Sequence, residues 1–413
     1  MRGESEQALP GVPSEGERTI DGLLEAMHLA GMEEMPALVS EHARLEGFSD
    51  VSIYVTDLQQ LLLVPLANQV DAAGGPLPTI RIDGTLAGRA FRSVSLVRSQ
   101  PGGEGPYRVW APLLDGTERI GLLGVTVPHG GEVVERRIKT LASLVALLVM
   151  SKRPHSDSCA RLVRARPMAL SAEVLWNLLP PGTFAKDDVV VSAALEPAYE
   201  MGGDTYDYAI DGHTLHLSIY DAMGHDTSAG LTATLAMGAG RNHRRQGMSL
   251  AETAQAVDEA IMSEFEGRFA TGVLASLDLR TGLLAWVNRG HHPPLVLRDG
   301  RLVATLSSIP DPPMGFGLSV STGELRFQLQ PGDRLLFYTD GVIEAQSPDG
   351  ERFGLERFIG FVTKREADGL PTPETLRRLI QAILAHQRGR LQDDATVMTV
   401  EWKPRRPSHQ LVL

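Results

Sequence analysis

The stretch Gly332-Asp333-Arg334-Leu335-Leu336-Phe337-Tyr338-Thr339-Asp340-Gly341-Val342-Ile343-Glu344 decides the reading of this 413-residue chain. Its apolar run, Leu335 to Tyr338, has the bulk and length of a buried strand and stops at an acid followed by glycine. Three other places repeat that pattern. Met201-Gly202-Gly203-Asp204 sets an acid behind two glycines. Leu215, Leu217 and Ile219 alternate with His216, Ser218 and Tyr220, the two-residue period of a half-buried strand, and Asp221 closes the run ahead of Ala222-Met223-Gly224-His225. Asp393-Asp394 precedes the strand-like run Ala395 to Trp402. Carboxylates are the donors that hard cations such as Mg²⁺ and Mn²⁺ take, and a cluster without Cys or His ligands disfavours zinc. Taken singly, each place also reads as a plain turn, a solvated bend or a flexible loop.

Around these acids the second half mixes hairpins and helices in blocks. Val273 to Leu279 and Leu283 to Asn288 flank Arg280-Thr281-Gly282, and Leu295 to Leu297 and Leu302 to Ala304 flank Asp299-Gly300, so both pairs predict hairpins. Ser249-Leu250-Ala251-Glu252 is a capping box opening a helix to about Phe265, and Thr372-Pro373 opens another to about Gln387. The class is α+β with largely antiparallel sheet. Further upstream, Tyr107 to Leu114 and Ile120 to Val127 flank Asp115-Gly116, a tight-turn dipeptide. Glu132 to Lys152 then predicts a helix whose Val134, Ile138, Leu141, Val145 and Leu148 are spaced four, three, four, three. That stripe serves either packing within its own domain or a dimer seam.

Composition bounds the rest. Hydrophobic residues are 43% and charged residues 22%, so the chain has apolar surface enough for two or three domains and is not wholly disordered. Its net charge of −12 argues against a nucleic-acid partner. Cys159 is the single cysteine, which excludes an intrachain disulfide, a zinc ribbon or a CxxC pair and fits a reducing cytoplasm. The first twenty residues lack a basic start followed by an apolar run, and Thr140 to Ser151 falls short of a bilayer, so neither leader nor membrane span is expected. The expected organisation is a disordered tail at 1–32, a sensor domain at 33–152, a basic linker at 153–170 containing Cys159, a catalytic domain at 171–403 and a tail at 404–413.

The order GGDxYD, DxxGH, TDG at a strand end and final DDAT resembles the SpoIIE-like branch of the metal-dependent serine/threonine protein phosphatases (type 2C, PPM), from Ser171 to Trp402. Phe269-Ala270-Thr271, Asn288-Arg289-Gly290-His291-His292-Pro293-Pro294-Leu295 and Met314-Gly315 agree with that family in sequence and order. The resemblance implies a sandwich of two antiparallel sheets flanked by helices, with carboxylates gathered at one edge around two divalent cations, Mn²⁺ or Mg²⁺. Residue by residue it implies Asp204 as an acid of the metal site, Asp221 as the bridging ligand, Ala222 lending its backbone carbonyl, and Asp340 and Asp393 as further ligands. Asp394 matches a neighbour of the ligands.

Two positions depart from the family pattern. Asp226 stands where glycine is usual and Arg289 where alanine is usual, and a positive φ at 226 would strain the loop. His225 reads either as a general acid or as a loop histidine, and His291 and His292 read as structural or substrate-edge residues outside the site. Trp110-Ala111-Pro112-Leu113, the following hairpin and Leu86-Ala87-Gly88-Arg89-Ala90-Phe91 resemble parts of a GAF domain, which implies an α/β sensor on a six-stranded sheet with a small-molecule effector.

The reading is a cytoplasmic, homodimeric phosphatase that hydrolyses phosphoserine or phosphothreonine on a signalling protein. By resemblance, its substrate is a phosphorylated anti-sigma antagonist of the STAS type. The rival readings are a catalytically silent, ligand-gated regulator that keeps the phosphatase fold, and a phosphohydrolase for a small molecule.

Overall fold

The computed structural model describes residues 15–403 apart from 72, 100–104, 198, 201, 319–322, 368–369 and 390. Met201, residues 1–14 of the expected first tail and all of the expected tail at 404–413 lie outside the described residues. The chain divides into two compact units, the first reaching Ala165 and the second beginning at Arg166.

The first unit runs α1 (Glu15–Met27), α2 (Met35–Leu45), β1 (Ser49–Thr56), β2 (Leu62–Pro65), β3 (Ile80–Arg81), α3 (Leu86–Ser93), β4 (Val97–Arg98), β5 (Tyr107–Asp115), β6 (Glu118–Val127) and α4 (Glu132–Lys152). A 3₁₀ turn at Arg153–His155 and α5 (Asp157–Leu162) close it. Its six strands form one sheet in the order β3-β2-β1-β6-β5-β4. Only Gly116 and Thr117 separate β5 from β6, and so short a link between neighbouring strands forces an antiparallel pair.

Two expectations are corrected here, and one open alternative is decided. The segment expected as a tail at 1–32 contains α1, whose Leu23 and Met27 are fully buried with Met32, Met35 and Val39. Ile20, Leu23, Leu24 and Met27 follow the i, i+3, i+4, i+7 spacing of an amphipathic helix, a signal outweighed in the sequence reading by the Gly, Pro and Glu content of the segment. The expected linker at 153–170 is also ordered. Pro154 occupies the first turn of the 3₁₀ segment, where a missing N–H costs little, and Ser156 caps α5 by accepting from the Cys159 backbone N–H. Cys159 is therefore part of the first unit's core. Finally, Ile138, Leu141, Val145 and Leu148 of α4 are all buried in that same core, so the heptad-like stripe packs on its own unit and offers no dimer seam.

The second unit runs α6 (Leu170–Leu178), β7 (Thr183–Lys186), β8 (Val189–Glu196), β9 (Asp204–Asp211), β10 (Thr214–Ala222), α7 (Thr227–Arg245), α8 (Leu250–Glu264), β11 (Ala270–Asp278) and β12 (Leu283–Arg289). It continues with β13 (Leu295–Arg298), β14 (Arg301–Thr305), β15 (Leu325–Gln328), β16 (Arg334–Tyr338), α9 (Asp340–Ile343), α10 (Leu355–Ala367), α11 (Thr372–His386) and β17 (Ala395–Trp402). These make two sheets, β15-β12-β11-β10-β9 and β14-β13-β16-β17-β8-β7, in which every pairing is antiparallel.

The inner faces of the two sheets share one core: Leu215, Leu217 and Ile219 of β10 lie in the same cluster as Val191 of β8, Phe337 of β16 and Met398 of β17. Helices α7 and α8 cover the outer face of the first sheet. Helices α10 and α11 cover the outer face of the second, where Phe358, Leu379 and Ile383 meet Leu336 and Val397. With both faces covered, all eight residues of β17 are buried. The architecture is the helix-flanked, two-sheet sandwich that the resemblance implied, and its class is α+β. Among the described residues no helix is long and apolar enough to cross a membrane.

Because Leu23 is completely buried, Leu23→Ala should destabilise the first unit by about 2–5 kcal/mol. Denaturant unfolding of the full chain checks this, and a change below about 0.5 kcal/mol would return residues 15–27 to the status of a loose tail.

Candidate metal centre

The site is built by register. In the antiparallel β9–β10 ladder Asp204 pairs directly with Asp221, so their side chains stand on the same face of the sheet, where like charges repel. The second sheet adds the other acids from the ends of neighbouring strands. Asp340 opens α9 two residues after β16, and Asp393 and Asp394 lead into β17, which pairs with β16. Thus the four acids expected as ligands come from chain segments far apart in sequence and meet at one edge of the sandwich.

Their electrostatics record the meeting. Burial, then the charges of Asp221 and Asp394, holds the Asp204 carboxyl well above the ordinary range. Burial, followed by Asp340, Asp393 and Asp394, pushes Asp221 up to about 7. Asp340 is raised by burial and then by Asp393. Moving Asp221 from 3.8 to about 7 corresponds to about 4 kcal/mol of unfavourable ionisation, an order of magnitude that a cation would relieve.

Two residues brace the acids. Asp394, expected only as a neighbour, is buried, and its Oδ2 accepts from the backbone N–H groups of Gly202 at 2.8 Å and Asp204 at 3.2 Å. Burial raises Asp394 to about 6 despite these bonds. Thr339, fully buried, donates from Oγ1 to Asp204 Oδ2 at 2.6 Å and accepts from the Thr396 N–H at 3.0 Å. Thr339 was missed in the sequence, although it immediately precedes Asp340 in the deciding motif. The Gly203 position explains the double glycine: an added Cβ would lie 2.0 Å from the Ala222 carbonyl oxygen. Only a residue without a side chain lets that strand lie against the backbone of Ala222.

The charged departures from the family pattern prove to be accommodated. Asp226 has φ −95°, so no strain arises there, and the positive φ belongs to Gly224. Asp226 is the N-cap of α7, accepting from Ala229 N–H at 2.8 Å, and its other oxygen accepts from Arg268 Nη2 at 2.8 Å. Arg268 Nη1 donates in turn to the Met223 carbonyl, tying down the loop after Asp221. Arg289 is buried, donates from Nε to the Pro312 carbonyl, and sits 3.6 Å from the fully buried Asp258.

Of the histidines, His225 is exposed in the β10–α7 loop. His291 is buried and structural: its Nε2–H donates to the Tyr338 carbonyl, which fixes the tautomer, and Nδ1 then accepts from the Thr271 hydroxyl. His292 stacks on Tyr338 and lies near enough to Asp340 to favour its ionised form, so it borders the acids.

Whether these residues fit divalent cations is a question of donors, charge and convergence. The donors are all oxygen and the charge is in excess, which suits Mn²⁺ or Mg²⁺. Among the described residues, however, no group of three or more His, Cys, Asp or Glu side chains is already arranged to hold a metal ion. Donor chemistry and charge are what fit here.

The fold and these acids define a two-sheet sandwich with a carboxylate edge. Residues 211–403 match the family model described as Stage II sporulation protein E (SpoIIE), and this part of the chain is a SpoIIE-type domain. The match includes Asp221, Asp340 and Asp393 and begins after Asp204. The phosphoserine phosphatase RsbP of Bacillus subtilis is 26% identical over 190 residues, covering 45% of this chain and 47% of the relative. Protein IcfG of Synechocystis is 32% identical over 133 residues, covering 32% of this chain and 20% of the relative. The chain thus spans less than half the length of either. Among solved structures, the SiaA-PP2C domain of Pseudomonas aeruginosa is similar with a TM-score of 0.45 at 21% identity, covering 52% of this chain and 86% of that one.

The raised acids set a pH dependence whose sign is opposite to ordinary acid denaturation. Between about pH 4 and 7 the folded, chelator-treated chain keeps protons on Asp221 and Asp394 that the unfolded chain releases, so stability should fall as pH rises through that window. Thermal unfolding at several pH values checks it: Mn²⁺ should raise the midpoint at pH 7.5, and Asp221→Asn should flatten the slope. A midpoint indifferent to both pH and Mn²⁺ would dissolve the electrostatic description.

Proposed function

We propose that the second unit, residues 171–403, is a metal-dependent protein phosphatase acting on phosphoserine or phosphothreonine. The observation that carries this reading is the assembly of Asp204, Asp221, Asp340 and Asp393 at one edge, with Asp221 destabilised as an anion first by burial and then by its acidic neighbours. The relative RsbP, named a phosphoserine phosphatase, supports it. Asp204, Asp221, Asp340, Asp393 and the Ala222 carbonyl would hold two divalent cations. When bound, such ions lower the pKa of water and neutralise phosphoryl charge for in-line attack at phosphorus. The chain's own part is positional. Thr339 orients the Asp204 carboxylate, Asp394 fixes the backbone of Gly202 and Asp204, and the Arg268–Asp226 tie holds the loop that follows Asp221.

On the same reading the substrate is a phosphorylated STAS-type anti-sigma antagonist in the cytoplasm, and the first unit is a GAF-like sensor for a small effector. The six-stranded sheet supports the latter. A homodimer would have to use a surface other than the buried α4 stripe. The silent-regulator reading has one observation in its favour, the absence of a converged metal group among the described residues.

Phosphate release from an aryl phosphate and from a phosphoserine peptide, across Mn²⁺ and Mg²⁺ concentrations, separates the two readings. The wild-type chain should turn over only with metal, and Asp340→Asn should lose at least about 100-fold. Absence of turnover on both substrates from folded protein, with no Mn²⁺-induced stabilisation, would leave the regulator.

A further inference from the structure

Asp204, Asp221 and Thr271 form a row across three neighbouring strands. Asp221 pairs with Asp204 of β9 on one side and with Thr271 of β11 on the other, so all three side chains share the face that Leu215, Leu217 and Ile219 turn toward the second sheet. One end of the row is fastened across the sandwich by the Thr339 hydroxyl, which donates to Asp204. The other end is fastened by His291.

His291 lies in the segment that leaves β12 in the first sheet and enters β13 in the second. A single side chain grips its backbone: the buried Asn288 accepts from the His291 N–H at 2.8 Å and donates to the His291 carbonyl at 2.9 Å. From that fixed point the ring spans the two sheets. Its Nδ1 accepts from the Thr271 hydroxyl at 2.8 Å, and its Nε2–H donates to the Tyr338 carbonyl at 3.1 Å. The ladder between β13 and β16 ends at Leu295 and Leu336, and Pro293 and Pro294 ahead of β13 have no N–H to extend it, so the Tyr338 carbonyl takes its hydrogen from the imidazole. Burial, and then His292, pushes His291 down to about 3, which keeps the ring neutral and able to donate and accept at once. Tyr338 and Thr339, the two landing points on the second sheet, are consecutive and lead directly into Asp340.

We propose that His291 is a positioning residue for the metal centre: together with Thr339 it fixes the separation between Asp221 on the first sheet and Asp340 on the second. The inference rests on the metal-dependent reading given above. His291 bonds to neither acid. It acts at one end through the cross-strand partner of Asp221 and at the other through the two residues of chain that precede Asp340. Removing an outer partner that orients metal ligands typically costs about 10–100-fold in metal affinity, whereas a residue that only fills the core costs stability and leaves affinity alone.

The test is calorimetric titration of the full chain with Mn²⁺, well below the unfolding midpoint, for the wild type, His291→Leu, Thr271→Val, the double variant and Leu215→Ala. His291→Leu removes both bonds across the sandwich and should weaken Mn²⁺ binding by on the order of tenfold or more. Thr271→Val deletes one hydroxyl, keeps the bond from the ring to Tyr338, and decides the matter alone where His291→Leu does not fold. It should weaken Mn²⁺ binding by less than His291→Leu and add nothing further in the double variant, because Thr271 acts through the ring. Leu215, fully buried at the opposite end of β10 from Asp221, is the control, and Leu215→Ala should lower the unfolding midpoint without changing Mn²⁺ affinity. Unchanged Mn²⁺ affinity in a folded His291→Leu or Thr271→Val chain, or an equal loss in Leu215→Ala, would overturn the proposal and leave the metal centre standing. A folded wild-type chain that takes up no Mn²⁺ would overturn the metal-dependent reading and this proposal with it.

Discussion

Everything at the metal edge depends on one ladder, the antiparallel register that sets Asp204 opposite Asp221. Cross-strand like charges destabilise a sheet, and burial increases the cost. The register is nonetheless fixed, because a slip by one residue would turn Leu215, Leu217 and Ile219 out of the sandwich core. Hydrophobic burial along the strands thus holds an electrostatically unfavourable pair in place. The bracing by Thr339 and Asp394 shows where the second sheet is fastened to it: both anchor points lie on the β16 and β17 side and reach across to residues at the head of β9.

The same economy of placement accounts for the two faces of β10. One period-two face builds the common core and ends at Asp221, while the other gathers hydroxyls and an imidazole beneath α7 and α8. Asp207, one strand over, belongs to this outer face and pins two arginines of α7 to the sheet. A buried acid with two basic partners specifies where the helix docks more than it stabilises it, since desolvating the three charges offsets much of their attraction.

How much of this was legible depended on whether the signal was local. The Asp299-Gly300 turn appears with positive φ at both residues, as a two-residue hairpin demands, and the capping box at Ser249 and Glu252 is realised in both of its bonds. Helix α4 has the bounds that its periodicity gave. The acids of the edge were readable because each sits in a short motif. What was not readable was relational. Asp394 matters through bonds to residues about 190 positions away, and Asp226 behaves as a helix cap because the loop turns at Gly224 instead. The Pro154 segment shows the reverse error, where a residue that stops one helix begins another turn.

The position of β17 has a consequence for how the chain is made. It is a central strand, paired with β16 on one side and with β8 on the other, in a ladder that joins Glu196 to Ala395. During vectorial synthesis β8 must wait, one edge open, until everything between those two residues has left the ribosome. An open edge of that kind is a template for pairing with another chain, so the interval is one in which a nascent copy is exposed to its neighbours and to chaperones. It also means that the acids from β9 and β10 stand ready long before Asp393 arrives. The edge becomes complete only as the last strand slots into the middle of its sheet, which makes the capacity for chemistry a late product of folding.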